Sequence, residues 1–363
     1  MKVELCAAAL VAATASTAQA QDSIDIFGMI DAGITYVSNE HGHSNLKFDD
    51  GIYAPNLVGL KGNEDLGGGN RAFFELSSQF SLGNGGFVGN PGFGRTAFIG
   101  LGNDRLGTLT LGNQYDFMSE ALFFGGNDSA RDAGGLYNFR NGPFQKLALP
   151  NNPTGAFDWD RLGATQRVQN SVKYASASIY GVSLGAMYGF KDPTSVSGLE
   201  NTQSVGVTYA CPSFGAGTAY TNQRYAATAG LAATSITNWG AGAHFSTGAL
   251  TATLLFSIVR NSSSDAEVWM TEVGATWHFT HALTLAMDYL YMKGNAENDN
   301  NHAHQVDALL QYAVSDRTAL YVAGVYQRAS SGAYAQINGV LDANGSSSGA
   351  AQAIARVGFH TAF

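Results

Sequence analysis

Cysteine is nearly missing from this 363-residue chain, which carries only Cys6 and Cys211. Proline is scarce at 7 residues, and charged side chains make up only 13%. After residue 20 no apolar run approaches the ~20 residues that a bilayer-crossing helix needs. The N-terminus explains one of the cysteines. Lys2 is its only cation, Glu4 is unusual in such a position, and Leu5 to Ala20 is small and apolar, ending Ala18-Gln19-Ala20. That ending is the small-residue pattern of a signal-peptidase site, so residues 1–20 are expected to be a cleaved leader and 21–363 the mature domain. Cys6 lacks a lipoprotein cleavage context and leaves with the leader. Cys211 then has no intrachain partner, which excludes the small disulfide-stapled secreted domains. The net charge of −9 argues against nucleic acid as a partner.

What the chain does hold is 45 glycines, 16 tyrosines and 21 phenylalanines. Glycine with aromatics suits crowded strands and tight turns. An exported chain without apolar helices can still span a membrane in one way: as a closed barrel whose strands alternate lipid-facing and lumen-facing residues.

That alternation recurs along the chain. Ile24, Ile26, Ile30, Ala32, Ile34 and Tyr36 share one face, while Ser23, Asp25, Asp31 and Thr35 share the other. Leu283, Leu285, Met287, Tyr289 and Tyr291 alternate with Thr284 and Asp288, and Val306, Ala308, Leu310 and Tyr312 alternate with Gln305, Asp307 and Gln311. Helices would space apolar residues by three or four. The pattern predicts sixteen strands near 24–37, 54–65, 70–81, 94–102, 106–115, 167–178, 181–191, 202–211, 214–223, 236–247, 249–261, 266–279, 282–294, 302–314, 317–329 and 351–363. Connections alternate too. Asp65–Gly69, Asn103–Arg105 and Ser315–Asp316 are tight turns, whereas His41 to Tyr53, Leu82 to Phe93 and Ser330 to Ala350 are long. An all-β, up-and-down transmembrane barrel of sixteen antiparallel strands shows this rhythm, with short turns at one rim and long loops at the other. The third long connection, about residues 116–166, is out of scale. Folded inward, it narrows a lumen that is otherwise water-filled.

Several motifs in order resemble the general diffusion porins of β-proteobacteria: Glu64-Asp65-Leu66-Gly67-Gly68-Gly69, Leu111-Gly112-Asn113-Gln114-Tyr115-Asp116, and Asn170-Ser171-Val172-Lys173-Tyr174 through Tyr188-Gly189-Phe190. Ser315-Asp316-Arg317-Thr318-Ala319-Leu320-Tyr321 and the closing Gly358-Phe359-His360-Thr361-Ala362-Phe363 continue the series. The resemblance implies an outer-membrane homotrimer of sixteen-stranded pores for passive diffusion of ions and small hydrophilic solutes, with no cofactor. It also implies an eyelet where loop acids oppose wall bases, and a terminal strand (Phe363, Phe359, Val357) read by the barrel-assembly machinery. A lipid-facing strand that happens to end in Phe is the plainer account of those three residues.

Candidate loop acids are Asp116, Glu120, Asp128 and Asp132; candidate wall bases are Arg95, Arg167, Lys61 and Lys173. Arg167, Gln169, Ser171 and Lys173 share a parity opposite Val168, Val172 and Tyr174. Lumen-facing is expected for the two cations, since a charge at the bilayer midplane costs about 2–4 kcal/mol. Rim or wall charges with no part in the narrowest section are the alternative for each. The chain departs from the family at Phe123, where a loop glutamate is usual, and at Leu57, Met29 and Asn113, where relatives carry bases. Fewer bases and a net charge of −9 suggest a weak cation preference. Trp269, Trp277, Phe279, Tyr289, Tyr291, Tyr312 and Tyr321 suit the aromatic girdles of a barrel. The pairs His41/His43 and His302/His304 lack an evident third metal ligand, so no metal is assigned. An enzyme barrel needs a nucleophile poised beside histidine, and no such spacing is evident. Adhesin barrels are often smaller, and a solute-specific porin on the same fold is the nearest rival.

Overall fold

The computed structural model describes residues 23–89, 92–133, 141–191, 197–227, 232–337 and 345–363. The expected leader lies outside them. Alternating sequences become one antiparallel sheet closed on itself. Its strands are β1 (Ser23–Glu40), β2 (His43–Asp50), β3 (Leu57–Gly67), β4 (Asn70–Gln79), β5 (Thr96–Asn103), β6 (Gly107–Gln114), β7 (Val168–Ala175), β8 (Val182–Gly189) and β9 (Leu199–Cys211). They continue as β10 (Phe214–Tyr225), β11 (Thr234–Thr247), β12 (Leu250–Asn261), β13 (Glu267–His278), β14 (Leu283–Gly294), β15 (His302–Ala313), β16 (Thr318–Ala329) and β17 (Ala351–Ala362). β17 returns to pair with β1 from Met29↔Ala362 to Val37↔Ile354.

Two of the seventeen segments share one place in the barrel. β3 pairs with the first part of β1 (Ser23↔Asn63 to Met29↔Leu57), and β2 pairs with the remainder (Ala32↔Asp50 to Glu40↔His43). The barrel therefore has sixteen strand positions, the second of them broken at residues 51–56.

This corrects the expected long connection from His41 to Tyr53. The actual turn is two residues, His41 (φ 54°) and Gly42 (φ 97°), whose positive dihedrals match the twist of a tight hairpin. Asn39 Oδ1 accepts the Gly42 N–H at 2.9 Å. The polar run after it looked like a loop, but it is a strand with Leu46 and Phe48 turned outward.

The long third connection folds into the barrel. It contains a π-helical turn (Ser119–Phe123), α1 (Ala130–Ala133) and a 3-10 turn (Gln145–Leu147). Met118, Leu122, Leu147, Trp159 and Leu162 are fully buried in one cluster with Leu255, Val259, Met270, Leu290 and Met292 of β12–β14. Wall glycines permit this close approach. A Cβ at Gly240 would stand 2.7 Å from Leu122 Cδ1, and one at Gly206 would stand 2.7 Å from Phe117 Cβ. The loop thus covers one side of the lumen and leaves the other open.

Candidate pore constriction

The loop is tethered at its root by a buried ion pair that the sequence reading missed. Asp116, fully buried, faces the Arg161 guanidinium and accepts hydrogen bonds from Thr221 Oγ1 (3.0 Å) and Ser119 N (3.2 Å). Arg161 also donates to Gln166 Oε1 at 2.6 Å and Gln223 Oε1 at 2.8 Å. Asp116 is therefore spent on anchoring, away from open water. Asp158 closes the same stretch: it accepts Gly163 N at 2.7 Å, Thr165 N at 3.2 Å and the Thr165 hydroxyl. Burial, followed by the neighbouring Asp160, pushes its carboxyl up to about 6.

Of the other loop acids, Glu120 forms an ion pair with Lys173, joining two candidates from opposite sides. Burial pushes the Glu120 carboxyl above its ordinary range while the Lys173 ammonium opposes the shift. Asp128 is 2% exposed and accepts the Ala130 N–H at 3.1 Å, so it stabilises the loop. Asp132, on α1, is exposed and accepts from Thr276 Oγ1 at 3.3 Å.

Among the wall bases, Arg95 sits just before β5, whose Thr96, Phe98 and Gly100 face inward, and it donates to Gln79 Oε1. Arg167 precedes β7, where the expected parity holds for Ser171 and Lys173 and fails before them. Asn170 has φ 49° and the β6–β7 register shifts between Gly112 and Gln114, so Val168 turns inward and is buried. Arg167 nevertheless lies over the Tyr115 ring at 5.8 Å and donates to Thr165 O at 2.7 Å. Lys61 sits over Phe27 at 5.9 Å.

Two cavities follow the open side of the lumen. One, of about 680 Å³, is lined by Lys61, Arg71, Phe73, Phe98, Glu120 and Lys173 among others. The second, of about 390 Å³, is lined by Tyr53, Arg95, Phe123, Arg131, Asp132 and Ala164 among others. Glu75, Thr96, Tyr115 and Phe124 line both, so the two adjoin. Both cavities lie between loop and wall, and the second is the candidate constriction. It gathers Arg95 and Asp132 from the expected set but not Asp116, Asp128, Glu120, Lys61, Lys173 or Arg167. It adds Arg131 on the loop and Glu75 on the wall, each opposite in sign to the expected side.

Tyr53 reaches the constriction because the broken second strand turns inward. Asp31 Oδ2 accepts Ile52 N at 2.9 Å and Tyr53 N at 3.1 Å. Arg356 holds Asp31 at 3.0 Å, donates to the Tyr321 hydroxyl at 2.7 Å and pairs with Asp49. Tyr53 then stacks on His360 at 4.6 Å and donates to Gln311 Oε1 at 2.8 Å. Gly51 at the break was the available sign, and it reads equally well as loop.

On the outer face Phe363, Phe359 and Val357 are exposed, and the terminal residue closes on Gly28 through two backbone hydrogen bonds of 3.0 Å. Cys211 is exposed at the end of β9. His304 Nδ1 meets the Tyr289 hydroxyl at 2.7 Å. Among the described residues no group of three His, Cys, Asp or Glu side chains is placed to hold a metal.

Comparison with known proteins agrees with this architecture. The sequence pattern of the Gram-negative porin family matches residues 7–332. An outer membrane porin protein of Bordetella pertussis is 33% identical over 205 residues, covering 52% of this chain and 48% of the relative. The outer membrane porin protein 32 of Delftia acidovorans is 28% identical over 197 residues, covering 54% and 52%. The chain thus spans about half the length of the curated relatives it matches. An anion-selective porin from Comamonas acidovorans has the same fold, with a TM-score of 0.78, 22% identity and coverage of 94% of this chain and 100% of that one. A trimeric form of OmpT from Vibrio cholerae shares it at a TM-score of 0.68 and 12% identity, covering 94% and 99%. With that sequence pattern across most of its length and a closed sixteen-strand barrel, this chain belongs to the Gram-negative porin family, whose place is the outer membrane.

Proposed function

We propose that the protein is a passive channel for ions and small hydrophilic solutes across the outer membrane. The observation that carries this reading is the closed barrel with two adjoining cavities beside the inward loop. Solutes move down their gradients, the loop sets the size limit, and fixed charges bias entry. Arg95 and Arg131 face the same cavity as Glu75 and Asp132. Two charges of each sign support weak selectivity and do not by themselves favour the cation preference suggested by net charge. The Comamonas protein is described as anion-selective; here Asp132 and Glu75 oppose such a bias.

The same reading includes removal of residues 1–20, assembly through the terminal strand by the barrel-assembly machinery, and a homotrimer in lipid. The trimeric Vibrio neighbour is consistent with that assembly. Planar-bilayer conductance, with liposome swelling over a graded series of sugars, tests the function. Stepwise conductance and uptake falling with sugar size are expected. Silent membranes would refute the channel, and saturable uptake of a single sugar would replace it with a solute-specific one.

A further inference from the structure

The wall of the open side is unusual for a water-filled passage, because aromatic rings follow it. Phe73 and Phe98 meet edge-on at 6.4 Å in the larger cavity. Phe124 bridges both cavities and packs edge-on to Tyr115 (5.0 Å) and Phe123 (5.1 Å). Packing of the loop does not require these rings at the water. Leu122, two residues earlier, is fully buried against the wall, whereas Phe124 is 45% exposed. Exposing an aromatic face to water forfeits the burial that normally recommends it.

Guanidinium groups accompany the rings. Arg131 lies over Phe123 and Arg167 over Tyr115, each at 5.8 Å, while Arg95 lines the same constriction. Among the described residues no cation lies over Phe124, and its 45% exposure leaves ring surface for stacking. An arginine fork matches a carboxylate. The chemistry of the site is therefore a flat apolar face beside forks for an anion.

We propose that the constriction is a binding track for aromatic carboxylates. The arene stacks on Phe124 within the Tyr115–Phe123 frame, and the carboxylate pairs with Arg131 and Arg95. Neutral sugars could use the rings but would leave the guanidinium groups unanswered. This rests on the channel reading above and names the solutes that channel retains.

Benzoate is the probe, added to bilayers holding the full-length channel in potassium chloride, with cyclohexanecarboxylate, acetate and glucose as comparators. Benzoate is expected to reduce the chloride-salt conductance saturably, at a half-blocking concentration about tenfold below the comparators. Phe124→Leu and Arg131→Gln should each raise that concentration about fivefold. The proposal is overturned if benzoate gives no saturable block, or if cyclohexanecarboxylate or glucose blocks equally well. It also falls if neither variant shifts the half-block. A channel that conducts the salt yet fails these tests refutes the track alone, whereas membranes that never conduct refute the channel itself.

Discussion

Replacing Asp116 with Ala removes one member of a pair whose side chains are 1% and 0% exposed. Stranding a buried charge costs about 3–5 kcal/mol. Here the stranded group is the Arg161 guanidinium, left with Gln166 and Gln223 as neutral acceptors. The loop has other attachments to set against this. Met118, Leu122, Leu147, Trp159 and Leu162 are fully buried, and five such side chains contribute at most about 8–15 kcal/mol. The apolar contacts win, so the loop should stay in the lumen while its root, around residues 115–124 and 158–167, opens locally. Hydrogen exchange should accelerate in those peptides and not in the barrel strands, and single-channel current should grow noisier. Asp116→Leu combined with Arg161→Met should recover most of the protection, because an apolar pair of similar volume replaces a buried ion pair at little cost. The reasoning fails if the single variant exchanges like the parent, or if the double variant is no better than the single.

At the barrel seam, Arg356→Gln should lower the temperature at which the barrel unfolds in detergent, by the equivalent of about 3–5 kcal/mol. Arg356→Lys should fail to rescue it, since Asp31, Asp49 and Tyr321 need a fork; equal melting of Lys variant and parent refutes this. The carboxyl of Asp158 rises from 3.8 to about 6 on folding, so the folded loop binds its proton more tightly than the unfolded chain. Its contribution is full below the unfolded value and is lost as pH climbs through 6, about 3 kcal/mol in all. Protection of the Gly163 and Thr165 amides should therefore fall between pH 4 and 7, and Asp158→Asn should flatten that profile. Reversal potentials in a salt gradient should move towards cations for Arg131→Gln and towards anions for Glu75→Gln; movement of both in one direction would contradict their places in the constriction. Deleting Phe363 removes the residue that closes on Gly28, and the yield of folded barrel inserted into vesicles should drop.

The strands were legible because a barrel wall between lipid and water imposes period two, and one face reports on the other. Legibility failed where that division fails. His43–Asp50 lies in a strand whose inward face carries Asn45, Lys47 and Asp49, and the break at 51–56 removed the length that would have marked it. The β7 parity failed at Asn170, where one left-handed residue shifts the phase. Site residues were harder still. Arg161 and Arg131 sit in a loop without periodicity, so only the fold decides that one anchors and the other faces water.

One signal was present and went unread. In β12–β14 the inward positions Leu255, Val259, Met270, Leu290 and Met292 are apolar, although a lumen wall facing water should be polar there. Strands apolar on both faces must be covered on both. Lipid covers one side, so a part of the chain has to cover the other, and the long third connection is the segment with the length and apolar content to do it. The stretch of wall that breaks the alternation thus says where the loop docks. By elimination it also places the open passage against β3–β7, where the inward residues are Lys61, Glu75, Thr96 and Lys173.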